Sequence, residues 1–294
     1  MAEFNRQSRI AFLGAGKVGG SLALALSNAG YPVIAVASRT PASSDVFAAR
    51  IPDCVAYDSY QEAADAADVT FITTSDGFIS TVAASVTWRP GQAVVHCSGA
   101  ASLDLFDNPV SQGAVPGAFH PLQAFSSVEN GVKSIPGTTF GIEAGDDIKP
   151  YFEQMAHDIG AIPVFLRAED KVMYHLSGVL MGNLLTCLVG IAGGVWEHIG
   201  STRADGIKAL LPMMRAVANN IEVSGIPDAV AGPYPRGDVG TVRKHLEALK
   251  YRDPGLMPMY CELALAGLPQ AVERGLNKET SNEIQKIIES YKDR

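Results

Sequence analysis

The sequence predicts an α/β chain: a doubly wound, mostly parallel sheet in the first half and an all-α second domain. Three observations carry this. Short apolar runs alternate with helix-like segments from Ile10 to Leu166. A glycine pattern, Gly14-x-Gly16-x-x-Gly19, lies between the first apolar run and the first helix. After Arg167 the strand pattern stops and only helical patterning remains.

Taken in order, Ile10 to Leu13 form a strand that turns at Gly14, and SLALALSNAG continues as a helix. PVIAVASRT is the second strand and CVAY, 54–57, a short third. YQEAADAAD reads as a helix and VTFITT, 69–74, as the fourth strand. Asp76 is placed to cap the helix FISTVAASV. QAVVHCSGA, 92–100, is the fifth strand, and GAVPGAFHPLQAF, 113–125, carries the sixth. TTFGIEAG, 138–145, a helix DIKPYFEQMAHDIG and a strand AIPVFL follow. Repeated strand–helix units give a parallel sheet with crossovers of one hand. Helices are expected at about 168–199, 202–224, 238–251, 257–274 and 278–292. The domains are therefore 1–168 and 169–294.

The chain has 294 residues, 47 % apolar and 18 % charged, which suits a globular protein with a sizeable core. A formal charge of −8 without a long basic run argues against nucleic acid and anionic membrane as partners. Cys54, Cys97, Cys187 and Cys261 show no CxxC spacing and read as buried thiols in a reducing, cytoplasmic compartment. MAEFNRQSR does not read as a signal peptide. Metal binding is not expected, because there is no HxH, HExxH or Cys/His cluster. From Leu176 to Trp196 no residue is charged, a length that passes the test for a membrane span. Ser177, Asn183 and Thr186 interrupt it and no basic anchor follows, so the expectation is a buried or dimer-forming helix.

The glycine turn points to a dinucleotide. Gly14 permits the tight turn, Gly16 lets backbone approach a pyrophosphate, and Gly19 lets the helix pack on the strand. Gly14, Ala15, Gly16, Lys17, Val18 and Gly19 would surround the phosphates at the helix N-terminus, with its free N–H groups. The first half is therefore expected to be a dinucleotide-binding domain. The second strand ends in Ser38-Arg39-Thr40, where an NAD site usually ends in an acid. A guanidinium and two hydroxyls suit a 2′-phosphate, so the expected cofactor is NADP. Ligands sit beyond the carboxyl ends of such strands, which places Thr74, Ser75, Ser98 and His120 by the cofactor.

His120, in AFHPLQAF, is positioned for proton transfer. Ser98 can hydrogen-bond a substrate oxygen. His96 points into the strand interior and reads as structural, and His157 and His198 are given no role. Lys171 stands in the first turn of a helix, where lysine is usually solvated, but it can also donate a proton or hold a carboxylate. At 100° per residue, Lys171, His175, Gly178, Gly182 and Thr186 share one stripe, with Asn183 on its flank. Near the end, Arg236-Gly237-Asp238 precedes the helix VGTVRKHLEALK. Asp238 is a good N-cap, and Arg236 is positioned to clamp a substrate carboxylate.

FLGAGKVG, FHPLQAF, HLSGVLMGN and AGPYPRGDVGTVRKHLEAL together resemble a two-domain family. Its members carry a Rossmann-like N-terminal domain and a C-terminal helical domain of unknown function. They belong with pyrroline-5-carboxylate reductase, prephenate dehydrogenase and the β-hydroxyacid dehydrogenases. The last of these segments is the most specific, and the four span nearly the whole chain. The resemblance implies NADP, a helical domain of the 6-phosphogluconate dehydrogenase C-terminal type, dimerisation through it, and hydride transfer to a carbonyl or imine carbon. It maps a catalytic histidine onto His120 and a strand-end serine onto Ser98. The β-hydroxyacid dehydrogenase Lys-xxx-Asn pair is not kept: His175 stands four residues after Lys171. The catalytic acid is thus open among His120, Lys171 and His175. The expected function is an NADP-dependent oxidoreductase of a small, carboxylate-bearing carbonyl or imine compound. The alternative is a non-catalytic NADP-binding sensor or scaffold.

Overall fold

The structure, a computed structural model, describes residues 4–292. Its strands are β1 (Ile10–Leu13), β2 (Val33–Ala37), β3 (Val55–Tyr57), β4 (Val69–Ile72), β5 (Ala93–His96), β6 (Val115–Pro121), β7 (Thr139–Ala144) and β8 (Ile162–Phe165). They form one eight-stranded sheet in the order β3-β2-β1-β4-β5-β6-β7-β8. Neighbours are parallel except β6 and β7, which run antiparallel. The sheet is thus mostly parallel, as expected, with a single reversal. The order reverses between β1 and β4, a switch point in front of which ligands bind.

Strand periodicity sends alternate side chains to opposite faces. Ile10 and Phe12 pack with α1 (Lys17–Asn28) residues Leu22 and Leu26. Ala11 and Leu13 face the other layer, with Ala63, Ile79 and Val82. That layer holds α3 (Tyr60–Ala66), α4 (Ile79–Ala84) and α5 (Asp107–Ser111), of which α3 and α4 supply those three residues, whereas α2 (Pro41–Ala48) joins α1 on the first face, its Phe47 ring 5.7 Å from that of Phe12. α6 (Val128–Ser134) packs on α1, and α7 (Lys149–Asp158) adds Phe152 and Met155 to the first layer. Phe119 joins β6 to that core, with ring centroids 4.6 Å from Phe140 and 5.7 Å from Phe152.

The expected helix 168–199 is present as one helical segment, Ala168–Ile199. It comprises α8 (Lys171–Val179), a π turn (Leu180–Leu184), α9 (Leu185–Gly194) and a short 3₁₀ end. Then come α10 (Arg203–Ser224), α11 (Val239–Arg252), α12 (Met257–Glu273) and α13 (Lys278–Lys292). Cα packing divides the chain into Met1–Leu185 and Thr186–Arg294. This boundary falls inside the helical segment, because α8 packs on β-domain residues. In the second unit Val242, Leu246, Cys261, Leu268, Ile284 and Ile288 form the core where α11, α12 and α13 meet.

The π turn alters the stripe expected on this helix. One extra residue per turn rotates everything beyond Val179 relative to a 100° wheel. Lys171, His175 and Gly178 keep a common face, and a Cβ at Gly178 would meet Leu122 at 2.7 Å. Nothing lies within 4 Å of a Cβ at Gly182.

Candidate active site

The glycine turn is built around Thr73. Gly14 has φ +116°, and a Cβ there would lie 2.8 Å from the Thr73 carbonyl carbon. Thr73 Oγ1 donates to Gly14 O at 2.7 Å, and a Cβ on Gly19 would collide with that hydroxyl. Thr73, absent from the sequence-based set, therefore fixes two of the three glycines. Gly16 is different: the nearest atom to its hypothetical Cβ is 3.9 Å away. Its own fold does not require a glycine there, whereas a closely approaching ligand would. Gly16 is also the N-cap of α1 and supplies no side-chain cap, so the N–H groups around Lys17, Val18 and Gly19 face outward unmatched by a side chain. Ala15 packs at the edge of the first core.

At the end of β2, Ser38 Oγ donates to Thr40 O at 2.8 Å and receives Ser44 Oγ at 3.0 Å. Ser38 is thus partly occupied, and Thr40 makes no side-chain cap for α2. Arg39 is exposed and has no ion pair or hydrogen bond among the described residues. These features fit a dinucleotide with a 2′-phosphate: an open Gly16, an uncapped helix start and a free guanidinium.

The strand ends carry the site onward. Thr74 Oγ1 after β4 is buried without a partner, and Ser75 is exposed. Asp76 does not cap a helix, contrary to expectation; Ser75 occupies the N-cap position and the first turn is 3₁₀. The Asp76 carboxylate instead accepts from Ser98 Oγ at 2.7 Å, across from β4 to β5. Ser98 Oγ also accepts from Ala101 N at 3.2 Å, so its hydrogen is committed to Asp76 rather than free for a substrate. Next along, Gly99 is buried against two histidines. A Cβ there would lie 2.6 Å from His175 Cδ2 and 2.7 Å from His120 Nε2.

His120 sits two residues past the β5–β6 pairing of His96 with Ala118, above the carboxyl edge of the sheet. Its ring stands edge-on to His175, 6.0 Å between centroids, and its Nδ1 lies 3.1 Å from Tyr174 Oη. Burial, then the charges of His175 and Lys171, push its pKa down to about 4. It is therefore neutral near pH 7 and has no ionic proton to give.

Lys171 overturns the expectation of a solvated lysine. Its side chain is 2 % exposed, and Nζ lies 3.0 Å from Glu143 Oε2 on β7, whose side chain is 13 % exposed. Neither atom makes a well-directed hydrogen bond, so charge holds the pair. Burial lowers the Lys171 pKa, with Glu143 opposing. His96 is buried in the interior as expected, accepting from Ser98 N at 3.1 Å, and burial drops its pKa to about 3.

Asn183 is exposed in the π turn. In the helical unit, Asp238 caps α11: Oδ1 accepts from Thr241 N at 2.9 Å and Oδ2 from Thr241 Oγ1 at 2.7 Å. Both oxygens are used, which leaves Asp238 as a cap. Arg236 is exposed and unpaired among the described residues. Among the described residues no group of three His, Cys, Asp or Glu is placed to hold a metal ion.

The two depressed histidines fix a pH dependence. The unfolded chain protonates them near pH 6.5, while the folded protein holds them neutral. The unfolded state then binds more protons, so stability rises with pH. Their contribution is complete above about pH 6.5 and is lost as pH falls through about 4 for His120 and about 3 for His96. For His120 this is on the order of 3 kcal/mol. Urea midpoints should fall between pH 7 and 4.5, and less steeply in His120→Asn; equal slopes in the two proteins would contradict the assignment.

Comparison with known proteins agrees with this architecture. Residues 4–121 match the Rossmann-like domain family, and residues 138–266 match DUF2520, a domain of unknown function. Among curated proteins none matches the sequence. A Bacteroides fragilis protein designated, provisionally, an NADP oxidoreductase superposes with TM-score 0.68 at 19 % identity, covering 98 % of this chain and 99 % of that one. A reductive aminase from Aspergillus terreus, in complex with NADPH and ethyl-5-oxohexanoate, gives 0.61 at 14 % identity over 97 % and 93 %. A pyrroline-5-carboxylate reductase from Coxiella burnetii gives 0.58 at 17 % identity over 95 % and 99 %. At these identities the likeness is one of fold. By its sheet, its glycine turn and the two matched domains, the chain is a Rossmann-like domain followed by a DUF2520 domain.

Proposed function

We propose that the protein is an NADPH-dependent reductase of a small carbonyl or imine compound bearing a carboxylate. The observation that carries this is the line of groups along one sheet edge. It runs from Gly14–Thr73 through Asp76–Ser98 to Gly99, His120 and His175. Pyrophosphate sites and proton-handling groups stand side by side there, which is what reduction by a nicotinamide needs. The described neighbours, crystallised with NADPH or named as reductases, support the same class.

When bound, NADPH supplies the hydride. The chain does the rest. Gly14–Gly19 and the start of α1 hold the phosphates, with Arg39, Ser38 and Thr40 at the 2′-phosphate and Thr74 and Ser75 lining the edge. His120 polarises the substrate heteroatom as a neutral donor. His175, half-buried beside it, delivers the proton. Lys171, held by Glu143, supplies positive potential, and Asp76 is kept in place by Ser98. Asn183 in the π turn offers an amide to the substrate.

The protein acts as a cytoplasmic homodimer in this reading. The segment Ala168–Ile199 is long and apolar enough to cross a membrane, yet little of its most apolar stretch is buried. Val172, Met173, Leu180, Met181 and Leu184 are exposed on it, and Met213, Val217 and Ile221 on α10. Patches of this kind call for cover. A monomer by light scattering, or recovery only in detergent, would contradict the dimer.

The cofactor test is Arg39→Asp. A charge-assisted contact is worth about 1.5–3 kcal/mol, so NADPH affinity should fall about 10- to 100-fold while NADH affinity holds or improves. Fluorescence titration reads both. An unchanged NADPH/NADH ratio sinks the assignment. NADPH bound tightly but never oxidised by a panel of ketones and cyclic imines would favour a sensor instead.

A further inference from the structure

We propose that Tyr174 is a positioning residue that locks His120 in the tautomer carrying hydrogen on Nε2, so that His120 meets the substrate only as a neutral donor. The substrate consequence rests on the reductase reading; the tautomer itself does not.

The geometry is specific. Tyr174 Oη lies 3.1 Å from His120 Nδ1, with the rings at 85° and centroids 5.6 Å apart. Gly141, paired with His120 across β6 and β7, makes the room. A Cβ there would sit 2.7 Å from Tyr174 Cζ and 2.8 Å from Oη. A phenol has one hydrogen to donate and can also accept. The β6–β7 register, in which Leu122 N donates to Thr139 O, pairs the Gly141 N–H with the His120 carbonyl, which is therefore already an acceptor in the ladder. The phenol hydrogen then has two candidate acceptors: Nδ1 at 3.1 Å and the His120 carbonyl at 3.4 Å. The shorter contact is to the ring. The reverse tautomer would bring the ring N–H onto Oη and push the phenol hydrogen to the longer contact, on a carbonyl that the ladder already uses. Burial raises the Tyr174 pKa to about 12, which keeps the phenol protonated. With Nδ1 occupied as acceptor, the single ring hydrogen resides on Nε2. That nitrogen faces the space left by Gly99 and borders His175.

A donor needs an acceptor. A carbonyl oxygen or an unprotonated imine nitrogen has a lone pair for Nε2–H, whereas a protonated iminium has none. The site therefore selects neutral carbonyl or imine substrates at the His120 contact, and its donor strengthens as negative charge develops there.

The test is ¹⁵N-histidine NMR on the full-length protein, with the His120 signals assigned by their loss in His120→Asn. Wild type should show an unprotonated Nδ1 and a protonated Nε2 from pH 6 to 8. Tyr174→Phe, which keeps the ring beside Gly141, should show an average of both tautomers. A protonated Nδ1 in wild type, or an unchanged tautomer in Tyr174→Phe, overturns the proposal. If the variant does not fold, the wild-type spectrum alone decides. With a substrate in hand, Tyr174→Phe should lower kcat by about 10-fold, the worth of about 1.4 kcal/mol for one hydrogen bond that orients the ring. KM should change little. A dominant KM effect would overturn positioning. Absence of any turnover would remove the reductase reading and leave the NMR result standing.

Discussion

Lys171→Met should destabilise the protein by about 3–5 kcal/mol, because it strands the Glu143 carboxylate among buried groups. Lys171 is 2 % exposed and Glu143 13 %, and the pair's 3.0 Å contact is the compensation for burying both charges. Breaking a buried pair from one side costs more than deleting it. Lys171→Met with Glu143→Met should therefore recover most of the loss, since a packed apolar pair of similar volume is often neutral or better. The single variant carries a second signature. Lys171 helps depress both His120 and His96, so both histidines should titrate at higher pH without it. Urea midpoints of the three proteins measure the first effect. A single variant within about 1 kcal/mol of wild type would mean that Lys171 is solvated after all, at the weak end of ion pairs.

Gly14→Ala should cost about 2–6 kcal/mol and abolish NADPH binding. Two penalties add. A φ of +116° is a region that side chains rarely adopt, at on the order of 1–3 kcal/mol. The new Cβ would also press on Thr73 and Thr74 backbone at 2.8–2.9 Å, and overpacking adds about 1–3 kcal/mol. Rigid backbone cannot swing aside as a flexible side chain would. Gly16→Ala should behave differently. It meets nothing nearer than 3.9 Å, so stability should stay within about 1 kcal/mol while NADPH affinity falls. Thermal melts with and without NADPH separate the two variants. Equal loss of stability in both would mean that Gly16 is there for the fold and not for a ligand.

What the sequence disclosed and what it hid follow from range. The glycine turn, the strand ends and the Asp238 cap are local patterns, and each was readable from a few adjacent residues. Arg39 was readable because the end of β2 has a fixed meaning in this architecture. The links across the sheet were not readable. Ser98 finds Asp76 from 22 residues away, His120 finds Tyr174 from 54, and only strand order brings them together. Thr73, Gly99, Gly141, Glu143 and Tyr174 were missed for that reason. Lys171 was misjudged because a first-turn position says nothing about the strand it packs on. Asp76 was misassigned because a helix cap and a strand-end tether use the same carboxylate. The stripe beyond Val179 failed at the π turn, which a constant 100° step cannot represent. A neutral His120 was also out of reach, since its burial and its neighbours come from four different elements.

The most direct test of the central claim is a crystal structure of the protein with NADP bound. The account predicts the pyrophosphate over Gly16 and the start of α1, the 2′-phosphate on Arg39, and the nicotinamide beside Gly99 with His120 Nε2 facing its reactive side. A nicotinamide placed elsewhere, or a protein that returns no bound NADP at saturating concentration, would contradict it.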